Sequence, residues 1–239
     1  MTSTLFVMGL KRWSLRLLSI LLMWSGTEIH ADEKNLYKGC LNSVTVGKEE
    51  KPVIPCDDTD PLNLANSADI HTVIKRMGLD PDKLHFKGCK NLRFSAAPDE
   101  TAKNGEQRYL VTYPSETSDS YLAPITHELA HVLQMEIEVN SAEHLLKEYG
   151  SKRVELGADF LTGIVFSSSL ENNDINEFQH NLMLIGLYRE MEEDAHGSPA
   201  QRTAAFRFGY FLKNTEVKSN INMAFRYFLD NLYGQIDQF

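Results

Sequence analysis

The chain reads as an α+β protein, with a small N-terminal β-sheet followed by a mainly helical bulk. Three short β-like runs, "KLHF", "NLRFSA" and "RYLVTY", fall between residues 83 and 113, separated by Gly88-Cys89 and by the polar loop "PDETAKNGEQ". From about Tyr121 onward the apolar residues recur at helical spacing instead. At 239 residues, 42% hydrophobic and 24% charged, the sequence can bury one self-sufficient core, so disorder is not the default. No tandem repeat and no Gly/Ser- or Pro-rich linker divides it.

Residues 1–31 differ in character from the rest. Lys11, Arg12 and Arg16 precede the apolar run from Leu17 to Trp24, and a polar stretch then ends in Ile29-His30-Ala31. Basic, apolar, then small is the order of a secretory signal peptide, with cleavage expected after Ala31. The apolar run falls well short of the ~20 residues of a spanning helix. Residues 32–239 are therefore expected to form a single exported domain, periplasmic or secreted, with no stable membrane insertion. Cleavage would change the formal charge from −9 to −11, leaving 21 basic against 32 acidic residues. An acidic chain without a basic run argues against nucleic acid and against anionic membranes as partners.

Residues 32–64 are polar and punctuated by Asp and Pro. Cys40, Cys56 and Cys89 all follow the signal peptide, and an odd count leaves one thiol over or joins two chains. The similar surroundings "YKGCLN" and "HFKGCKN" hint at paired roles for Cys40 and Cys89, whereas Cys40–Cys56 would close a shorter loop. The sequence does not choose, and the role of residues 32–90 stays open. Ser67 is placed to cap a helix carrying Ile70, Val73, Ile74 and Met77, ending near Gly78.

The helix expected over 121–137 has a single apolar stripe, Leu122, Ile125, Leu129, Val132 and Leu133. Ser120 is its candidate N-cap, and Pro124 falls in the first turn, where a missing N–H does least harm. A second helical region covers 142–168, broken at Gly150 with Ser151 as a fresh cap. Further helices are expected over 175–192, 199–213 and 218–232. The aromatic run "AAFRFGYFL" in the 199–213 helix reads as core.

Within the 121–137 helix stands "HELAH", His127 to His131. Residues i and i+4 sit one above the other on a helix, so the two imidazoles can face one ion. Glu128 lies beside that face, within reach of a water there without being a ligand itself, which is the mechanical content of H-E-x-x-H. The downstream extension to a glycine and a third histidine is missing, since Gln134 and Ile137 occupy those positions. "VELGADFLTG" offers Glu155 and Asp159 instead, one helical turn apart among apolar neighbours, where carboxylates rarely sit without a partner. Glu155 is the candidate third ligand. Asp159 is placed to accept a hydrogen bond from a ligand imidazole and so fix its tautomer. Gly157 and Gly163 would let this helix approach the histidine helix closely.

His127-Glu128-x-x-His131 with Glu155-Leu-Gly-Ala-Asp159 resembles the gluzincin metallopeptidases, in particular bacterial neutral zinc metallopeptidases with an E-x-x-A-D third-ligand helix. "HGSPAQR", His196 to Arg202, resembles a His-x-x-x-x-x-Arg segment that many of these carry. The resemblance spans about residues 120–210. It implies a zincin-like domain holding one Zn²⁺ on His127, His131 and Glu155, with Glu128 as general base and a peptide or protein as substrate. Ser198 and Pro199 suit the N-cap and first position of a helix, which would put His196 at its positive end. There His196 would donate to a developing oxyanion as a catalytic residue, and Arg202 would orient a carboxylate or bind substrate. Two alternatives stand beside this one: a zinc amidase acting on a cell-wall amide, and a zinc-binding interaction protein without catalysis.

Overall fold

The computed structural model describes residues 56, 59–89, 94–99, 107–115, 121–138, 142–167 and 196–239. The expected signal peptide, Cys40, Ser120 and the 175–192 helix lie outside these residues. Helix α1, Ala68–Met77, forms as its caps dictate. The Ser67 hydroxyl accepts from Ile70 N–H at 3.5 Å, and Gly78 ends the helix in the left-handed region with φ 67°. Ile70, Val73, Ile74 and Met77 are buried.

Each of the three β-like runs contributes to a strand: β1 (Leu84–Cys89), β2 (Ser95–Pro98), which takes only Ser95 and Ala96 from its run, and β3 (Tyr109–Pro114). The sheet order is β1-β3-β2, with β3 parallel to β1 and antiparallel to β2. Phe86, Ala96, Tyr109, Val111 and Tyr113 bring its buried side chains. Cys89 pairs with Cys56, which is neither the Cys40–Cys89 pairing hinted at by the flanking residues nor the shorter Cys40–Cys56 loop. That bond ties residues ahead of α1 to the end of β1. The Tyr113 hydroxyl fastens the same segment, donating to Asp60 and accepting from Leu62 N–H at 3.2 Å. Closing a loop of 33 residues in sequence stabilises by about 3–4 kcal/mol through the unfolded chain.

Helix α2, Leu122–Ile137, has Tyr121 at its N-cap position with no side-chain cap. The expectation of one apolar stripe proves too narrow. Every residue from Pro124 to Met135 is buried, because α1, the β2–β3 side of the sheet and helix α4 (Ser151–Phe166) all pack on it. A helix covered on all sides is the centre of the core. Its polar residues Thr126, His127, Glu128, His131 and Gln134 are therefore inside the protein.

Helix α3, Ala142–Tyr149, breaks at Gly150 as expected. Gly150 itself, at φ 78°, takes the N-cap position of α4, Ser151–Phe166, and Ser151 is already helical. Helix α5, Pro199–Tyr210, starts as read from "HGSPAQR". Ser198 accepts from Gln201 N–H, the Gln201 side chain accepts from Ser198 N–H, and Pro199 takes the first position. Helices α4 and α5 then touch backbone to backbone. A Cβ on Gly163 would lie 2.1 Å from Phe206 O, and one on Gly209 would lie 2.0 Å from Phe160 O. Gly163, expected to admit the histidine helix, thus admits α5.

The expected helix 218–232 is divided into α6 (Thr215–Ser219), α7 (Ile221–Tyr227), a π-helical stretch Phe228–Leu232 and α8 (Tyr233–Ile236). Asn214 caps α6 by accepting from Val217 N–H. In the aromatic run, Ala205 and Phe206 are core, whereas Phe211 is 59% exposed. Mixed α+β with a small sheet and a helical majority is the observed class. No helix among the described residues is long and apolar enough to cross a membrane.

Candidate metal centre

Burying five polar side chains on one helix is unfavourable unless each finds a partner. Helix α4 supplies most of the partners. His127 Nε2 lies 3.2 Å from Glu155 Oε2 and 3.1 Å from His131 Nε2. His131 Nε2 lies 3.7 Å from the same Glu155 oxygen. Three ligand-type atoms from two helices thus form a small triangle, and His127, His131 and Glu155 are 4%, 0% and 2% exposed.

The outer nitrogens reveal what this triangle is suited to hold. His127 Nδ1 is 2.9 Å from Asp159 Oδ1. Asp159 is paired in turn with Arg202, whose Nε and Nη2 donate to Oδ2 and Oδ1, both at 2.8 Å. An ionised carboxylate only accepts, so the proton of neutral His127 belongs on Nδ1 and its Nε2 presents a lone pair. His131 Nδ1 lies 2.9 Å from the Gln134 carboxamide oxygen, which leaves its Nε2 a lone pair by the same reasoning. The third corner is a carboxylate oxygen. Three acceptors at 3.1–3.7 Å repel unless a cation sits among them.

The side lengths fit a metal. Tetrahedral coordination with bonds of about 2.0–2.2 Å separates ligand atoms by roughly 3.3–3.6 Å, close to the 3.1, 3.2 and 3.7 Å observed. His127, His131 and Glu155 can therefore hold a metal ion. Burial alone would raise the Glu155 pKa; when the facing nitrogens carry protons in place of a metal ion, the charge of His131 and hydrogen bonds from His127, His131 and His196 outweigh that and hold the carboxyl well below its usual range. For Asp159 burial again works upward, and Arg202 together with His127 brings the net shift downward. Both groups are thus kept ionised, as a ligand and an orienting partner must be.

All seven residues singled out in the sequence are buried here. Glu128, 1% exposed, follows His127 on α2. His196 is 1% exposed, and its Nδ1 is 3.3 Å from Glu155 Oε1, the oxygen turned away from the triangle. Arg202, expected to orient a carboxylate or bind substrate, orients the carboxylate of Asp159 and is itself 1% exposed. The residue the sequence did not disclose is Gln134. Its only signal is position: three residues after His131, hence on the same helical face.

Family models, curated proteins and solved structures were all compared with this chain, and none matches it. The geometry therefore stands on its own, and what it defines is a buried group able to hold a metal ion.

Proposed function

We propose that this chain is an exported zinc hydrolase, a metallopeptidase of the gluzincin type with a zincin-like domain. The observation that carries this reading is the meeting of His127 Nε2, His131 Nε2 and Glu155 Oε2, each on a side chain oriented by a further buried partner. Two imidazoles and one carboxylate suit Zn²⁺ and leave a fourth position open, the mark of a catalytic rather than a structural site. When bound, zinc would make a water a good nucleophile near neutral pH and polarise a carbonyl oxygen.

The chain's own residues do the rest. Glu128 receives the proton of the attacking water and passes it to the leaving nitrogen. Asp159, held by the Arg202 fork, keeps His127 in one tautomer and one orientation. His196 faces Glu155 Oε1, which favours its holding that ligand, as well as or in place of the expected donation to an oxyanion. The Cys56–Cys89 bond supports export, since such bonds persist in oxidising compartments.

The test has two stages. Elemental analysis of the purified chain should find about one zinc in the wild type and a clear loss in Glu155→Ala. Wild-type protein that takes up no zinc after supplementation would end the reading. Protein, peptide and cell-wall amide substrates are then offered to wild type and Glu128→Gln. Hydrolysis lost in Glu128→Gln with zinc retained supports an enzyme, and the substrate cleaved separates peptidase from amidase. A zinc-loaded wild type inert toward the whole panel would favour a non-catalytic zinc-binding protein.

A further inference from the structure

We propose that Gln134 is a positioning residue of the metal centre, its carboxamide fixing which nitrogen of His131 faces the ion, with Gly157 providing the space it occupies. The proposal rests on the metal-holding reading of the same site. Gln134 is fully buried on α2, and its two polar ends reach in different directions. Its Nε2 lies 2.9 Å from the backbone oxygen of Val154, the residue before Glu155 on α4. A carbonyl can only accept, so the nitrogen of the carboxamide belongs on that side and the oxygen on the other. The oxygen then faces His131 Nδ1 at 2.9 Å and can only accept as well. His131 must therefore donate from Nδ1, and Nε2 is left to bind. One backbone carbonyl thus sets, through two hydrogen bonds, the ligand atom that a histidine 23 residues earlier in the chain presents.

Gly157 supplies an independent sign of the same arrangement. A Cβ there would lie 2.8 Å from Gln134 Nε2 and 2.5 Å from a ring carbon of Phe225. The α4 backbone is bare where the carboxamide passes, two residues from the ligand Glu155. His127 has a charged orienting partner in Asp159, whereas His131 has a neutral one. A carboxamide is neutral and can accept from an imidazole at one end while donating to a carbonyl at the other.

Zn²⁺ affinity of the full-length purified chain, measured by competition with a chromophoric chelator, tests this directly. Gln134→Met keeps length and packing while removing both hydrogen bonds. Gln134→Glu keeps an acceptor for His131 and loses the donor to Val154. Gln134→Met should bind zinc about tenfold to a hundredfold more weakly, and Gln134→Glu should return most of that affinity. Equal loss in both variants would mean that only the tie between helices matters, and would overturn the proposal. So would Gln134→Met binding like the wild type. A wild type that binds no metal ends the metal reading, and this proposal with it. A second measurement needs no variant to fold. Imidazole ¹⁵N shifts of the zinc-loaded wild type should show His131 protonated at Nδ1 and coordinated through Nε2; coordination through Nδ1 overturns the assignment.

Discussion

The two halves of α4 hold their neighbours by opposite means. From Ser151 to Asp159 the helix works through side-chain atoms: Glu155 meets two histidines of α2, and Asp159 joins His127 to Arg202 of α5. From Phe160 to Phe166 it works through apolar shape, with the Phe160 and Phe166 rings packed on Phe228 and Phe206 and with Gly163 and Gly209 letting two backbones touch. The first half depends on direction and charge, so losing one partner strands another inside the protein. The second depends on shape, so adding a single carbon forces the helices apart. One helix can thus carry a polar centre because its far end is clamped to α5 by close backbone packing.

Removing one side of the polar half should have the largest effect. Arg202→Leu strands the Asp159 carboxylate, and urea unfolding of metal-free protein should report a loss of about 3–5 kcal/mol. Arg202→Leu combined with Asp159→Asn should recover part of it; no recovery would mean that packing of the arginine stem, not charge, decides. Metal comes next. Free zinc at about a hundred times its Kd should add about 2.7 kcal/mol to wild-type stability, read as a rise in Tm. That increment should vanish in His131→Ala and survive in Gly163→Ala, and its loss in Gly163→Ala would show the two halves to be coupled. Gly163→Ala alone should destabilise by about 1–3 kcal/mol with zinc content unchanged.

The smallest effect expected is on acid stability. Burial pushes the Asp159 pKa up, but Arg202 and His127 push it down further, so it lies below the ordinary value. A carboxyl whose folded pKa is depressed stabilises fully above its unfolded pKa of about 3.9. It loses that contribution as pH falls from there through the folded value. Metal-free wild type should thus lose stability below about pH 4, and Asp159→Asn should lose less over the same range. Gly163→Ala should run parallel to wild type; a change in its slope would refute the separation of the two halves.

Signals that act over a few residues were legible in the sequence. Ser67 and Ser198 were readable as caps because each bonds a backbone N–H three residues away. His127 and His131 were readable as partners because helical geometry alone puts them together. Glu155 and Asp159 stood out because carboxylates among apolar neighbours need an explanation, and helix packing does bring them to the histidines. Contacts that depend on which helix lies opposite were not legible. Nothing within a few residues of Gly163 says that α5 rather than α2 will face it. Nor could "LQMEI" show that Gln134 would find Val154 O, since that carbonyl arrives with a different helix. The Cys56–Cys89 pairing likewise follows from the path of residues 59–62 along β1, where Thr59 O accepts from Gly88 N–H.

The fork between Arg202 and Asp159 has a consequence for proton traffic. Those two charges cancel, which leaves the ionised Glu155 carboxylate in a space almost closed to water. A metal cation between the helices would offset that charge. Without one, the nearest means of relief is uptake of protons by the histidines, which a metal must then displace. Filling the centre should therefore acidify an unbuffered solution, and calorimetric titration in buffers of different ionisation enthalpy would count the protons released for each ion taken up.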